Sequence, residues 1–266
     1  MFKQLIMAAS AILALIVCAE EIVQQKAEQS VSAKKELTPA EKAANIKRFK
    51  QRYYENTGGR VVNPNSGKGK IVFVNTQSLV STGVLSAMID ELALSFSLRM
   101  AIHDGEKPTL ENIDEAAKSS GGATTVFIVD DPVLPISVVA YEAGWAIVNV
   151  GKLAKAGDGI VNARIRKELA RSFAMTSGIS YGTGTAGLMA PVRKAADLDS
   201  CVLPERVNPN LYTPIHNYLS IFGVTPTQVA TYRKACKDGW AAAPTNDVQK
   251  AIWDKEMEKK SQKPAK

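Results

Sequence analysis

Two kinds of apolar pattern alternate along this chain, and their order predicts its architecture. Residues 70–76 (KIVFVNT) and 124–130 (TTVFIVD) are short, continuous runs of β-branched and aromatic side chains, the pattern of strands buried on both faces. Residues 136–141 and 145–150 are two more, separated by Glu142, Ala143 and Gly144, which predicts a hairpin. Between the first two strands Leu85, Ile89, Leu92, Phe96 and Met100 recur at helical spacing behind a cap at Ser81. A second helix is expected from a cap at Asp158 to Gly178, with Ile165, Leu169 and Phe173 on one face. Strand, helix, strand, hairpin, helix predicts an α+β fold: a mixed α/β sheet covered by two long helices.

The flanks read differently. Lys3, the apolar run at residues 5–17 and the small residues before Glu20 predict a secretory signal peptide over 1–19, cleaved near Ala19. A lipid anchor through Cys18 is a second reading, although Val17 is not the small residue that such a signal prefers. No later run is long and apolar enough to span a bilayer. Residues 20–69 are expected to form a flexible tether followed by a basic helix, which begins at Thr38-Pro39-Ala40-Glu41 and ends near Tyr54. Residues 70–200 hold the α/β domain. Beyond them prolines at 204, 209, 214 and 226 interrupt short helical stretches, so 201–258 is expected to be a small helical C-terminal subdomain and 259–266 a basic tail.

Charge and cysteines bound the environment. The formal net charge is +7, with much of the excess in the arm at 47–52 and the tail. For an exported chain this argues against a nucleic acid partner and for attraction to an anionic envelope polymer. Removing residues 1–19 leaves Cys201 and Cys236, the number that can pair; a bridge would constrain the unfolded chain by about 4 kcal/mol, and two separate buried thiols are the other reading.

The chemistry of interest lies in residues 164–191, RIRKELARSFAMTSGISYGTGTAGLMAP. A zinc-peptidase helix carries His-Glu-x-x-His, since residues four apart share a face and bring two imidazoles to one metal while the glutamate activates water. Here the five positions are Lys167, Glu168, Leu169, Ala170 and Arg171; Ala174 and Ser177 follow where a glycine and a third histidine would stand, and Gly187-Leu188-Met189-Ala190-Pro191 has the form of a Met-turn. The segment and the element order before it resemble the metzincins, particularly the archaemetzincin type, over residues 70–192. The resemblance implies a zincin-like fold with a substrate cleft lined by an edge strand such as 145–150. Only Glu168 and Met189 of the functional set are kept, and the chain holds just two histidines, His103 and His216. Lys167 and Arg171 would set two cations where zinc belongs, so no metal and no cofactor is expected; Arg171 would instead pair with Glu168 or a nearby carboxylate and fill the vacant site with a salt bridge. The bland alternative makes them exposed residues of an amphipathic helix. The segment TYRKACKDGWAAAPTNDVQKAIWDK is similar to the C-terminal ends of uncharacterised exported bacterial proteins.

Other patterns compete. The run Gly182-Thr183-Gly184-Thr185-Ala186-Gly187 spells a dinucleotide fingerprint, but follows a helix where that motif needs a strand. Gly178-Ile179-Ser180-Tyr181-Gly182 spells a hydrolase elbow, with Asp197 or Asp199 and then His216 in matching chain order. A thiol nucleophile would need Cys236 to meet His216, otherwise expected on a helix surface. Three function classes remain: an exported non-catalytic protein whose cleft binds a peptide or protein partner; a hydrolase, either a metallopeptidase with atypical ligands such as Glu168 and Asp197 or a Ser180 enzyme; and an envelope-binding structural module.

Overall fold

The computed structural model describes residues 38–153, 157–180, 182, 187–204 and 207–262. The expected signal peptide with Cys18 and Ala19, nearly all of the expected tether, the centre of the glycine-rich loop and the end of the expected basic tail lie outside the described residues. The chain divides into two compact units, Met1–Tyr53 and Tyr54–Lys266. No helix among the described residues is long and apolar enough to cross a membrane.

Helix α1 (Pro39–Thr57) starts where the capping pattern places it: the Glu41 amide donates to Thr38 Oγ1 (3.2 Å), and Glu41 Oε2 accepts from the Thr38 amide (2.8 Å) and hydroxyl (2.9 Å). None of its residues is buried.

The second unit is built on a five-stranded mixed sheet. Its elements are β1 (Arg60–Val62), β2 (Ile71–Thr76), α2 (Thr82–Phe96), β3 (Met100–Gly105), α3 (Ile113–Ser119), β4 (Thr124–Val129), β5 (Ser137–Ala140), β6 (Trp145–Asn149), α4 (Asp158–Thr176), α5 (Asp197–Ser200), α6 (Pro209–Ser220), β7 (Val229–Thr231), α7 (Tyr232–Asp238) and α8 (Asp247–Ser261). The sheet runs β3-β2-β4-β6-β5, parallel except for β5, which pairs antiparallel with β6. The expected mixed α/β sheet and its two long helices are therefore present. Residues of alternate parity separate two cores. Ile71, Phe73, Val126, Ile128, Ala146 and Val148 pack under α2 and α4, whereas Val72, Val74, Phe127, Val129 and Ile147 face the short α3. Phe96 of α2 meets Phe173 of α4 edge to face, centroids 5.0 Å apart, which locks the two long helices together.

The structure departs from the sequence reading in several places. Met100 does not close the α2 stripe. The helix ends at Ser97, a non-glycine residue in the left-handed region (φ 54°), and Met100 opens β3. Both β3 and α3 escaped prediction: β3 is only half-buried and polar from His103 onward, and α3 spans just 7 residues. Residues 145–150 do not form the edge: β6 is fully buried between β4 and β5, and the antiparallel edge is β5. Gly157, not Asp158, occupies the N-cap of α4.

The last third of the chain joins the first. β7 pairs antiparallel with β1, a strand inside the stretch expected to hold only tether and helix. Val207, Ile215, Leu219 and Val224 enter the main core, while Tyr232, Cys236 and Ile252 form a separate small cluster that includes Val61. The disulfide expectation is corrected here: Cys201 and Cys236 are both free and buried, because Cys201 packs in the main core and Cys236 in that separate cluster.

Candidate functional site

The site is organised by α4, whose Ile165, Leu169 and Phe173 anchor it to the sheet. That anchoring turns Glu168 toward the edge strand and Arg171 toward the loop that follows the helix. Glu168 is 1% exposed. Its Oε1 accepts from Ser137 Oγ on β5 at 2.7 Å and from Ser172 Oγ at 3.4 Å, and its Oε2 accepts from Arg171 Nε at 3.1 Å. Burial pushes the Glu168 carboxyl above its ordinary value; the Ser137 hydrogen bond, then the Arg171 charge, pull it back.

Arg171, also 1% exposed, is the hub. Its Nη1 donates to the carbonyls of Leu188 (2.5 Å) and Ala190 (2.6 Å), the residues on either side of Met189, and stands 3.9 Å from Cys201 Sγ. Met189 is buried, and its carbonyl accepts from the Gly182 amide at 2.9 Å. The helix residue in the second histidine place thus grips the Met-turn with hydrogen bonds. Guanidinium suits this task, since its planar fork reaches several acceptors at once and keeps its charge.

The remaining expected positions diverge. Lys167 Nζ donates to the Leu198 carbonyl (2.8 Å) and the Asp199 carbonyl (3.3 Å), acceptors other than those of Arg171. Ser177 is buried and its hydroxyl returns to the Phe173 carbonyl at 3.1 Å, as helical serines do, instead of reaching the Met-turn. The bland reading, in which Lys167 and Arg171 are exposed, fails for Arg171 outright and for Lys167 in part, since that side chain is half-buried.

Whether a zinc ion suits these residues is a question of donors. Zinc needs imidazole, thiolate or carboxylate lone pairs, and the histidine places hold a lysine, a cationic arginine and a serine already bonded to its own helix. Among the described residues no group of three or more His, Cys, Asp and Glu could hold a metal. The residues do not fit the ion. Of the atypical ligands, Glu168 is engaged as above, and Asp197 Oδ2 caps the amides of Arg193 (2.8 Å) and Lys194 (3.0 Å).

The serine-hydrolase constellation is not linked by any described hydrogen bond. Ser180 is exposed beyond Gly178, and Tyr181 and residues 183–186 lie outside the described residues. Asp199 binds Arg164 in a two-point contact (2.8 and 2.6 Å). His216 is not a surface residue: it is buried, stacked on Tyr212, and its Nε2 donates to the Phe96 carbonyl at 2.8 Å. No described hydrogen bond joins it to Cys236, which packs with Tyr232 and Ile252.

Ser137 and Ser172 belong to the site and escaped the sequence reading. Ser137 carried one signal, as the lone polar residue in the apolar run at 136–141.

No family model matches the sequence, and no curated protein does. Among solved structures the chain is similar to a zinc-dependent peptidase from Methanocorpusculum labreanum, at 15% identity and a TM-score of 0.46, over 55% of this chain and 100% of that one. It is also similar to an archaemetzincin from Methanopyrus kandleri (13%, 0.46, over 57% and 96%) and to an archaemetzincin from Archaeoglobus fulgidus complexed with malonate (12%, 0.41, over 55% and 99%).

Proposed function

We propose that this protein is a non-catalytic, exported binding protein on a metallopeptidase-like scaffold, with an edge strand that accepts an extended peptide. The observation that carries the reading is Arg171: buried, paired with Glu168 and bonded to both sides of the Met-turn, it puts a cation and its hydrogen bonds where a zinc site needs lone pairs. The network joins α4, the Met-turn and, through Ser137, the edge strand into one hydrogen-bonded floor.

The edge itself supplies the binding chemistry. The Asn149 amide donates to the Ile136 carbonyl, so in the antiparallel ladder Ile136, Val138 and Ala140 turn their main-chain groups inward to β6. Ser137 and Val139 turn theirs outward, and among the described residues no strand pairs with that side. An extended peptide adds there by main-chain hydrogen bonds. Val139→Pro removes one outward donor and leaves the inner ladder whole. The test measures binding of an extended-peptide library to wild type and to Val139→Pro, with melting temperature as the folding control. Binding lost by a folded variant supports the reading; peptides that bind both proteins equally overturn it.

A further inference from the structure

Helix α1 remains unexplained by that reading, and it carries an independent inference. Its apolar side chains are outside: Ile46 is 57% exposed, Phe49 70% and Tyr53 43%. Spaced three and four residues apart, they form a single stripe. Lys42, Lys47, Arg48, Lys50 and Arg52 accompany it, against only Glu41 and Glu55, and Glu41 is occupied by the Thr38 capping box. The capping box makes the helical start a local property of the sequence.

We infer that α1 is an interfacial helix that lies in the surface of an anionic lipid bilayer, with Ile46, Phe49 and Tyr53 inserted and its cations on the headgroups. Charge identifies the anionic partner, and the stripe identifies its physical state. A soluble anionic polymer satisfies the cations but offers Phe49 and Ile46 nothing apolar. A protein groove would take the stripe but meets a steric and electrostatic obstacle. At about 100° per residue, Lys42 falls between Phe49 and Tyr53, and Lys50 lies beside Ile46, so both ammonium groups would enter the groove with the apolar residues. At a bilayer surface those lysines lay their methylene stems along the acyl boundary and return their charges to the phosphates.

The experiment uses the full chain and vesicle flotation, with vesicles of phosphatidylcholine alone or containing about one third phosphatidylglycerol. The inference predicts binding at least about tenfold tighter to the anionic vesicles, from the added attraction of each cation. Phe49→Ser and Arg48→Gln/Arg52→Gln should each weaken it by about tenfold or more, through lost apolar insertion and lost charge respectively. Leu110→Ser, which removes an exposed leucine at a distant site in the sequence (67% exposed), should change nothing. Unchanged flotation of Phe49→Ser overturns the inference, because another segment, such as the apolar run at 5–17, or charge alone would then be responsible. Binding to dextran sulfate as tight as to vesicles and indifferent to Phe49→Ser assigns α1 to an anionic polymer and also overturns it. Equal melting temperatures of variants and wild type exclude unfolding as the cause.

Discussion

Three arginines of helix α4 pair with carboxylates, and two of them, Arg164 and Arg171, stand two turns apart and differ above all in their access to water. Arg171 and Glu168 are each 1% exposed, at an N–O distance of 3.1 Å; Arg164 and Asp199 approach to 2.6 Å, but the Asp199 side chain is 48% exposed. Distance alone would rank the outer pair as the stronger. Burial reverses the ranking of consequences. A half-exposed pair broken by mutation lets water replace the lost partner, whereas the inner pair broken the same way strands a charge in the core. The inner pair also has neighbours from two other parts of the chain, Ser137 on β5 and the carbonyls of Leu188 and Ala190 in the turn around Met189, while the outer one ties α4 to α5 alone.

The largest break in this contrast should come from Arg171→Met, which leaves the Glu168 carboxylate unpaired and two buried carbonyls without their donor. A loss of about 3–5 kcal/mol is expected in chemical denaturation. Adding Glu168→Leu should recover most of that loss, since a well-packed apolar pair replaces a buried ionic one at little cost. Next in size is Ser137→Ala, which removes the tie between β5 and α4 and should cost about 1–3 kcal/mol by the same measurement. Asp199→Asn should cost least of the three, and raising the salt concentration should shrink its effect while sparing that of Arg171→Met.

Proton linkage should separate the pairs by sign. The Glu168 carboxyl is raised by burial, so the folded state holds its proton more tightly than the unfolded state. Its contribution is most favourable below the ordinary value and declines as pH rises through the interval up to the folded value. The Asp199 carboxyl is lowered by its hydrogen bond and charge contact with Arg164. Its contribution is present above its ordinary value and is lost as pH falls through the lowered one. Melting temperatures of Glu168→Gln and Asp199→Asn, each compared with wild type across the acid range, should therefore diverge from wild type in opposite directions.

The legible part of this molecule was the part with strong periodicity. The runs that became β2, β4, β5 and β6, and the stripes of α2 and α4, announced themselves because continuous burial and helical spacing leave few alternatives. What stayed hidden depends on contacts made across the chain. β3 is held as an edge by β2, and β1 is defined by pairing with β7, about 170 residues later in the sequence. At the site, sequence singled out Glu168, Arg171 and Met189 and excluded the ordinary ligand set. It left Arg171 two places, a salt bridge with Glu168 in the vacant site or an exposed helix face, and the structure bears out the first. The carbonyls of Leu188 and Ala190, brought over it by the loop, add acceptors that no local pattern could announce. The cysteines show the converse: spacing and count allowed a bridge, and the partition into two cores placed them apart.

The metal question tests the central claim most directly. The purified chain, incubated with excess zinc and dialysed, would be analysed for metal content and melted with and without a chelator. The account predicts zinc far below one ion per chain and a melting temperature that the chelator leaves unchanged. Stoichiometric zinc, with a melting temperature that falls on chelation, would contradict it.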